Sequence, residues 1–258
     1  MDQLRGQSAL VTGAGRGFGK AIAVALAGAG ASVTVTARRS SEIEAVRAQI
    51  VQAGGFAQAV RGDARESPTV QRIYRAHVAA FGAPDILVNC AGVGDPIGPV
   101  GYVDVDSWWQ VLQIHLFASM AFMSSAVPDM QIKGRGCIIN VASLVGNLVL
   151  PAQSAYCVAK AAMLRLTEHV AAENRHSGIA VFAVHPGFVI TEMAEKVIDS
   201  PAARRWVPEF AAMFEERRAR GGGTEDLARC SERCIALASG RYNHLTGKFL
   251  DFNKELPA

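Results

Sequence analysis

Short runs of β-branched and apolar residues alternate with longer segments of helical pattern along almost the whole chain. Runs that are apolar on both faces and are separated by helical crossovers are typical of a parallel sheet covered by helices on both sides. The alternation therefore predicts a single α/β domain with a doubly wound, seven-stranded parallel sheet. The predicted strands are residues 8–12, 32–37, 56–63, 85–89, 136–143, 179–187 (with the loop that follows) and 248–252.

Some of the intervening helices carry signals at their ends. The segment SSEIEAVRAQIVQAGG (40–55) predicts a helix that is capped by serine and stopped by glycine. The helix that begins near Ser67 has Pro68 in its first turn, a position where proline is favoured. A long helix is predicted after Val103.

Charge and hydropathy argue against two classes of partner. The 258 residues carry a formal net charge of only +3, and the basic cluster at 215–220 is interleaved with glutamate. We therefore expect no nucleic acid partner. No run of about 18 uncharged apolar residues occurs, and the first residues contain no apolar stretch of signal-peptide length. We expect no membrane association.

The five cysteines are odd in number, lie mostly in apolar contexts and include no two pairs at metal-binding spacing. This pattern favours buried free thiols in a reducing compartment over disulfides or a metal site. We therefore expect a cytoplasmic protein without a bound metal.

The segment TGAGRGFG (12–19) lies directly after the first predicted strand and opens the first helix. Gly13 allows a tight turn, Gly17 lets the backbone approach a phosphate, and Gly19 allows close packing of the helix. The amides at the helix N-terminus favour a diphosphate. The loop therefore predicts a dinucleotide-binding (Rossmann) site.

Several motifs in the same order and spacing resemble the short-chain dehydrogenase/reductase family, from about Gln7 to Met193. They are the glycine loop, NCAG (89–92) at the end of strand four, Ser143, YCVAK (156–160) and PGFVIT (186–191). The resemblance implies an oxidoreductase that transfers hydride between a nicotinamide and a carbonyl or secondary alcohol of a small molecule.

The resemblance implies a catalytic set of Ser143, Tyr156 and Lys160. Reduction of a carbonyl requires a proton donor, and a phenol of ordinary pKa about 10 is a poor base at pH 7. A lysine one helical turn from Tyr156 favours the phenolate, so we expect it to lower the pKa of Tyr156. Lys160 is also expected to contact the nicotinamide ribose, and Ser143 the substrate oxygen.

The end of strand two favours NADP over NAD. Where NAD-preferring proteins of this fold place an acid, this chain has Ala37, followed by Arg38 and Arg39. These arginines, with Arg16 of the glycine loop, suit a 2′-phosphate, and we expect no carboxylate to repel it. The alternative is that Arg38 stacks on adenine and both cofactors bind.

Further cofactor contacts follow from the resemblance. Asp63 is expected at the adenine amino group, although a plain turn is its structural alternative; Asn89 is expected at the adenosine ribose, and Val189 and Thr191 at the nicotinamide carboxamide. The remaining expected contacts are Phe18, Ala64, Ala91, Gly92, Pro186 and Gly187.

The resemblance divides the chain into a cofactor-binding and catalytic core (about 7–190), a variable substrate lid (about 191–223) and a C-terminal helix, strand and tail (about 224–258). The lid is rich in large apolar residues, which serve either packing or recognition; residues 93–103 and Phe188 form further walls. We expect a neutral, partly apolar substrate. The apolar lid residues are Met193, Trp206, Phe210, Met213 and Phe214.

Family members are commonly homotetramers or dimers that associate through the helix bearing the catalytic tyrosine. Here the apolar stripe of residues 161–174 suits such a contact, or it faces its own sheet. The tail GKFLDFNKELPA departs from the family pattern, in which a Gly-Gly follows the last strand.

A histidine interrupts the apolar run VLQIHLF (111–117). The segment WWQVLQIHL (108–116) resembles the family pattern in which an asparagine marks a helix kink and holds a water beside the lysine; His115 stands in its place. We expect His115 to be a neutral ring in the proton relay, its pKa depressed by burial and by Lys160. The alternative is a core histidine that only fills space.

Three functions remain open at this point. The first is an NADPH-dependent ketoreductase, and the second is an enzyme of the same fold without net redox turnover, such as an epimerase, dehydratase or lyase. The third is a cofactor-binding protein that has lost catalysis, and the presence of Ser143, Tyr156 and Lys160 argues against it.

Overall fold

The computed structural model describes residues 3–256 and contains the predicted doubly wound sheet. Its seven strands are all parallel, in the order β3-β2-β1-β4-β5-β6-β7. The strands are β1 Ser8–Thr12, β2 Ser32–Ala37, β3 Phe56–Arg61, β4 Ile86–Asn89, β5 Gly136–Val141, β6 Ile179–His185 and β7 Phe249–Asp251. The fold class is confirmed, and the fifth strand ends two residues before the predicted Ser143.

Helices connect consecutive strands and cover both faces of the sheet. They are α1 Gly17–Gly28, α2 Ser40–Gln52, α3 Ser67–Phe81, α4 Val105–Leu112, α5 Ala118–Lys133, α6 Ser154–Glu173, α7 Glu192–Asp199, α8 Pro201–Trp206, α9 Pro208–Ala219 and α10 Glu225–Ala238. Pro68 lies in the first turn of α3 as predicted. The predicted serine cap of α2 is wrong, because Arg39 occupies the cap position and makes no side-chain capping bond.

Neighbouring residues of the central strands enter different apolar clusters. In β1, Ala9 and Val11 pack with residues of α1, α2 and α10, whereas Leu10 packs with residues of α3 and α5. Because successive side chains of a strand point to opposite faces, this division explains why the strand reads as a continuous apolar run.

The sheet reverses its winding between β1 and β4, which are direct neighbours. In sheets of this kind ligands bind outside the carboxyl ends of the strands at the reversal. This edge is formed by the glycine loop after β1 and the NCAG segment after β4.

The segment Val105–Lys133, which runs from α4 to α5, is long and apolar enough to cross a membrane by length and composition alone. Half of its most apolar window is buried inside the protein. This burial is typical of a core helix, and in this fold the segment packs on the sheet beside β4 and β5.

The cysteines are free thiols, as predicted, and four of the five are buried. Burial raises the pKa of Cys137 to about 12, so this thiol stays protonated and inert at neutral pH. Within residues 3–256, no group of three His, Cys, Asp or Glu side chains could hold a metal ion.

A buried carboxylate ties together the amino ends of two strands. Asp85, which is 6% exposed, accepts a hydrogen bond from the Ser8 amide at 3.0 Å and pairs with Lys133 Nζ at 2.9 Å and Arg135 Nε at 3.1 Å. Burial opposes its ionisation, but the bonds from Lys133, Ser8 and Arg135 outweigh burial and hold the pKa of Asp85 below its ordinary value.

We expect Asp85→Asn to lower the free energy of unfolding at pH 7 by about 1–3 kcal/mol, because it removes a charged acceptor from the buried Ser8 amide and from Lys133, while the exposed Arg135 contributes little. The contribution of Asp85 is present above its unfolded pKa of about 3.9 and is lost as the pH falls through the lower folded pKa. Urea unfolding at several pH values measures the difference in free energy of unfolding between the wild type and Asp85→Asn, and this difference should shrink at acidic pH. The exposed Asp106→Asn serves as the control, and equal losses for both variants would contradict the assignment.

Candidate active site

Ser143, Tyr156 and Lys160 meet beyond the carboxyl end of β5. Tyr156 and Lys160 lie one turn apart on α6, and Lys160 Nζ is 5.5 Å from the centroid of the tyrosine ring. Ser143 caps a short helix by accepting a bond from the Val145 amide at 3.4 Å, and its hydroxyl also hydrogen-bonds Tyr156. The structure therefore brings the three predicted residues together, and Ser143 also caps the short helix Leu144–Asn147.

The prediction of a lowered pKa for Tyr156 is wrong for this structure, in which the pKa is raised. Burial of the phenol raises its pKa to about 12, and the smaller opposing effect comes from the Ser143 hydrogen bond. The physical reason is that the phenolate would lose its hydration in the interior, and this loss outweighs nearby favourable groups. Tyr156 is consequently a protonated donor at neutral pH.

Lys160 is 4% exposed and donates a hydrogen bond from Nζ to the Val141 carbonyl at 2.7 Å. Burial lowers the pKa of Lys160 to about 8. The ammonium form therefore predominates at pH 7 and is lost as the pH rises through 8.

The helix that carries His115 is interrupted at the histidine itself. A π-helical turn, Gln113–Phe117, separates α4 from α5 at the position where the family pattern has its helix kink. Such turns occur frequently at functional sites because they redirect side chains. The turn places the His115 ring edge-on to Tyr156, with ring centroids 5.3 Å apart.

His115 is 1% exposed and is held by the segment that follows β4. Its Nε2 lies 2.8 Å from the Val93 carbonyl oxygen and 3.1 Å from the Val93 amide nitrogen. A ring nitrogen either donates or accepts, so each tautomer makes one of these bonds. His115 Nδ1 is buried and has no hydrogen-bond partner in the described part of the chain.

The electrostatic part of the His115 prediction is confirmed. Burial, and after it the charge of Lys160, holds the pKa of His115 well below its usual range. The ring is therefore neutral at physiological pH.

Gly92 is required by the position of this ring. A Cβ atom built on Gly92 would collide with His115 Cε1 and would lie 3.1 Å from both ring nitrogens. The NCAG segment and the π-helical turn are thus packed directly against each other.

The glycine loop is joined to the same segment from the other side. Thr12 Oγ1 accepts hydrogen bonds from the amides of Cys90 at 3.0 Å and Ala91 at 3.2 Å. Gly13 has φ +63°, and a Cβ on it would lie 2.8 Å from the Ala91 backbone. Gly13 therefore serves the predicted turn and also a close approach between β1 and β4 that the sequence did not reveal.

Asn89 is part of a buried chain of amides and hydroxyls. Its Nδ2 donates to Asn140 Oδ1 at 2.8 Å, and Asn140 Nδ2 donates to Thr167 Oγ1 at 2.9 Å. Asn89 Oδ1 is buried without a partner among residues 3–256. Sequence reasoning missed Asn140 and Thr167, since only the pairing of β4 with β5 and the packing of α6 reveal them.

Asp63 has a partner within its own loop. Arg65 forms a two-pronged salt bridge to it, with Nη2–Oδ2 at 2.6 Å and Nε–Oδ1 at 3.0 Å. The Arg65 amide also donates to Asp63 Oδ1 at 3.0 Å, which forms the turn considered as an alternative. The hydrogen bonds from Arg65 hold the pKa of Asp63 below its ordinary value.

The predicted phosphate site has a composition that the sequence did not indicate. Arg16 and Arg39 both form ion pairs with Glu192, and Arg39 Nη1 also lies 2.6 Å from Glu42 Oε1. The expectation that no carboxylate stands there is wrong, because α7 brings Glu192 from 153 positions away and Glu42 lies three residues after Arg39 in α2. Arg38 makes no ion pair with a carboxylate in the described residues.

The segment 186–191 is fixed by two residues that sequence reasoning missed. Asp226 on α10 accepts a hydrogen bond from the Phe188 amide at 2.7 Å, and Arg217 Nε donates to the Phe188 carbonyl at 3.1 Å. Arg217 also pairs with Asp226 at 3.3 Å. This clamp orders the backbone between the predicted contacts Gly187 and Val189.

The apolar residues of the predicted lid mostly pack with one another. Phe214 contacts Phe188 and Phe210 edge-on, at 4.6 and 4.5 Å between centroids, in a small cluster that also contains Ile97. Packing therefore describes these residues better than recognition does. Met213 is exposed, and Met193 lies beside Gly94.

The residues at this edge fit a dinucleotide. The N-terminus of α1 follows the glycine loop and contains Gly17, Phe18 and Gly19. Three buried polar atoms at this edge lack a partner in the described part of the chain: Thr36 Oγ1, Asn89 Oδ1 and His115 Nδ1. Buried polar groups are normally paired, so these atoms suit a polar ligand.

Comparisons with known proteins agree with this geometry. The family model for short chain dehydrogenases matches residues 7–202. A short chain dehydrogenase of Pseudocercospora fijiensis is 31% identical over 98% of this chain and 82% of its own. The 3-oxoacyl-[acyl-carrier-protein] reductase FabG of Staphylococcus aureus is 32% identical over 96% of both chains. The crystal structure of a gluconate 5-dehydrogenase from Burkholderia cenocepacia with NADP and tartrate has a TM-score of 0.82 and 26% identity, and covers 97% of this chain and 95% of its own.

The contact between Gly92 and His115 is testable by a double-mutant cycle. We expect Gly92→Ala to lower the free energy of unfolding by about 1–3 kcal/mol through overpacking. In a His115→Ala background, Gly92→Ala should lower the free energy of unfolding by less, because the imidazole ring that the added methyl group would meet is absent. Urea unfolding of the four proteins measures the coupling. Additive losses would show that the added methyl group does not meet the ring.

Proposed function

The chain belongs to the short-chain dehydrogenase family, and on that premise we propose that it is an NADPH-dependent ketoreductase acting on a small, partly apolar carbonyl compound. The observation that carries the proposal is the protonated Tyr156, which is bonded to Ser143 and lies beside the Lys160 ammonium. The raised pKa of Tyr156 suits a proton donor, which is the role that reduction needs.

When bound, the nicotinamide supplies the hydride. Tyr156 holds the proton on its phenolic oxygen and releases it to the substrate oxygen. Ser143 donates a hydrogen bond to that oxygen as negative charge develops on it. The Lys160 ammonium stabilises the phenolate that remains, and burial strengthens this interaction because little water screens it.

The preference for NADPH rests on three arginines. Arg38 and Arg39 follow β2, and Arg16 lies in the glycine loop. Burial lowers the pKa of Arg16, Glu42 raises it, and the charges of Arg39 and Arg38 lower it further. Such mutual repulsion between cations favours a strongly anionic ligand. A 2′-phosphate carries about −1.5 to −2 charge, enough to compete with the carboxylates now present.

An apolar substrate is favoured by the surroundings of Ser143. The residues that follow it, Leu144, Leu148 and Val149, are exposed, Val149 by 94%. Exposed apolar groups next to a reactive centre are suited to cover a ligand. We infer that the carbonyl group of the substrate has an apolar substituent on this side.

We also propose that the enzyme is a cytoplasmic homotetramer or dimer. The apolar stripe of residues 161–174 faces its own sheet, as the alternative interpretation stated, since Met163 and Val170 are buried. Other apolar side chains, on α4, the π-helical turn, α5 and α6, are exposed instead, and burying them favours association. They are Trp109, Phe117, Met120 and Val158.

His115 is proposed as a neutral member of the proton relay. Its ring contacts Tyr156, its pKa responds to Lys160, and its Nδ1 remains free to exchange a hydrogen bond. The ring acts by positioning: its Nδ1 holds one hydrogen bond of the relay, and the ring stays uncharged because it neither gains nor loses a proton.

Oxidation of NADPH with a panel of ketones tests the function. We expect turnover by the wild type and a loss of about 10²–10⁴-fold in kcat for Tyr156→Phe, with NADPH binding retained because the phenyl ring is preserved. Conversion of a substrate without any change in cofactor absorbance would overturn the proposal in favour of an epimerase, dehydratase or lyase. An unchanged kcat in Tyr156→Phe would overturn the role of the phenol.

The relay role of His115 is tested by pH profiles of kcat. The wild-type rate should fall as the pH rises through about 8, where Lys160 loses its charge. His115→Ala should lower kcat by about 10–100-fold and move this limb, because the surroundings of Lys160 change. His115→Asn, which restores a hydrogen-bonding amide, should recover part of the rate. Wild-type rates and profiles in both variants would show that the ring only packs.

A further inference from the structure

Three arginines from two different segments gather at the end of β2. Arg16 comes from the glycine loop, and Arg38 and Arg39 follow β2. Their charges influence one another: burial lowers the pKa of Arg16 most, Glu42 raises it, and Arg39 and Arg38 lower it. The protein therefore places a concentrated positive charge beside the proposed cofactor phosphate.

Glu192, the first residue of α7, belongs to a third segment of the chain and supplies a negative charge beside these arginines. It pairs with Arg16 and binds Arg39 with both oxygens, at 3.0 Å from Nη1 and 3.2 Å from Nη2. A carboxylate held by the fork of an arginine adopts the geometry that a phosphate also uses. Glu192 thus occupies the same donors that a 2′-phosphate would require.

We propose that Glu192 is a specificity-determining residue that acts as an internal substitute for the 2′-phosphate. In the cofactor-free protein it neutralises Arg16 and Arg39, and a phosphate-bearing nucleotide must displace it. Glu192 consequently weakens the binding of the phosphorylated cofactor without touching the unphosphorylated one. The inference rests on the proposed cofactor class, NAD(P).

The contrast with Glu42 supports this assignment to Glu192. Glu42, in the first turn of α2, pairs with Arg39 three residues before it, and its charge also raises the pKa of Arg16, but it stays on the β2 side of the site. Glu192 reaches across 153 positions and directly follows Thr191, the predicted contact of the nicotinamide. When Glu192 is displaced, the start of the predicted lid therefore loses its ion pairs with Arg16 and Arg39.

A second partner is available to Glu192 when it is displaced. Lys196, one turn later on α7, lies 3.6 Å from Glu192 Oε1. Because this lysine is exposed and belongs to the same helix, the carboxylate keeps a counter-ion after it leaves the arginines. The exchange then costs little, as expected for half-exposed ion pairs.

The test is calorimetric binding of two adenine nucleotides to the full-length protein. Adenosine 2′,5′-bisphosphate carries the 2′-phosphate, and adenosine 5′-monophosphate lacks it. We expect Glu192→Gln to bind the bisphosphate about three- to fivefold more tightly than the wild type and the monophosphate equally well. The gain should shrink as salt is raised, because the competing groups are partly exposed.

Glu195→Gln is the matched control. Glu195 lies on the same helix and pairs with Arg218 at 3.1 Å, away from the three arginines. This variant should bind both nucleotides as the wild type does. Equal gains in Glu192→Gln and Glu195→Gln, equal gains for both nucleotides, or no gain at all would overturn the inference.

The outcome is separable from that of the proposed function. A wild type that binds both nucleotides equally well would contradict the NADPH preference, yet a selective gain in Glu192→Gln would still support the role of Glu192. A wild type that prefers the bisphosphate while Glu192→Gln changes nothing would overturn only the inference about Glu192.

Discussion

The close approach of β1 and β4 at their carboxyl ends is the constraint on which the rest of the structure depends. Thr12 binds the two amides that follow Asn89, and Gly13 lies against Ala91 at a distance that leaves no room for a side chain. The same segment then meets His115 through Gly92 and Val93. The glycine loop, the NCAG segment and the helix carrying the histidine therefore form one packed unit, and displacement of any of them disturbs the others.

Burial governs the acid–base properties of this unit. Lys160 and His115 are buried, Tyr156 is half-buried beside them, and each has the pKa shift that disfavours its charged form. The site thus contains a protonated phenol, an ammonium whose pKa is lowered to about 8, and a neutral imidazole. The sequence pattern places a lysine one helical turn after the tyrosine, which indicates that the ammonium attracts the phenolate. The pattern gives no information about the hydration that both groups lose when the chain folds.

Much of the fold was predictable because it follows from local periodicity. The strands from Ser8–Thr12 to Ile179–His185 came from continuous apolar runs, and Leu10 with Val11 shows why such runs occur when both faces are covered. The predicted serine cap of α2 failed, since an N-cap depends on backbone geometry that the side chain alone does not set. At the candidate site the motif residues converged as predicted, whereas Asn140, Thr167, Asp226 and Glu192 were missed, because each acts on a residue far away in the chain.

The sequence by itself determined the doubly wound sheet and the glycine loop, because strand periodicity is a local property, and its resemblance to a known family implied that Ser143 meets Tyr156 and Lys160. Only the tertiary structure decided that Glu192 pairs with Arg16 and Arg39, that burial keeps Tyr156 protonated, and that His115 bonds Val93. These features depend on which distant segments pack together and how much water their contact excludes, and both quantities are set only when the whole chain is folded.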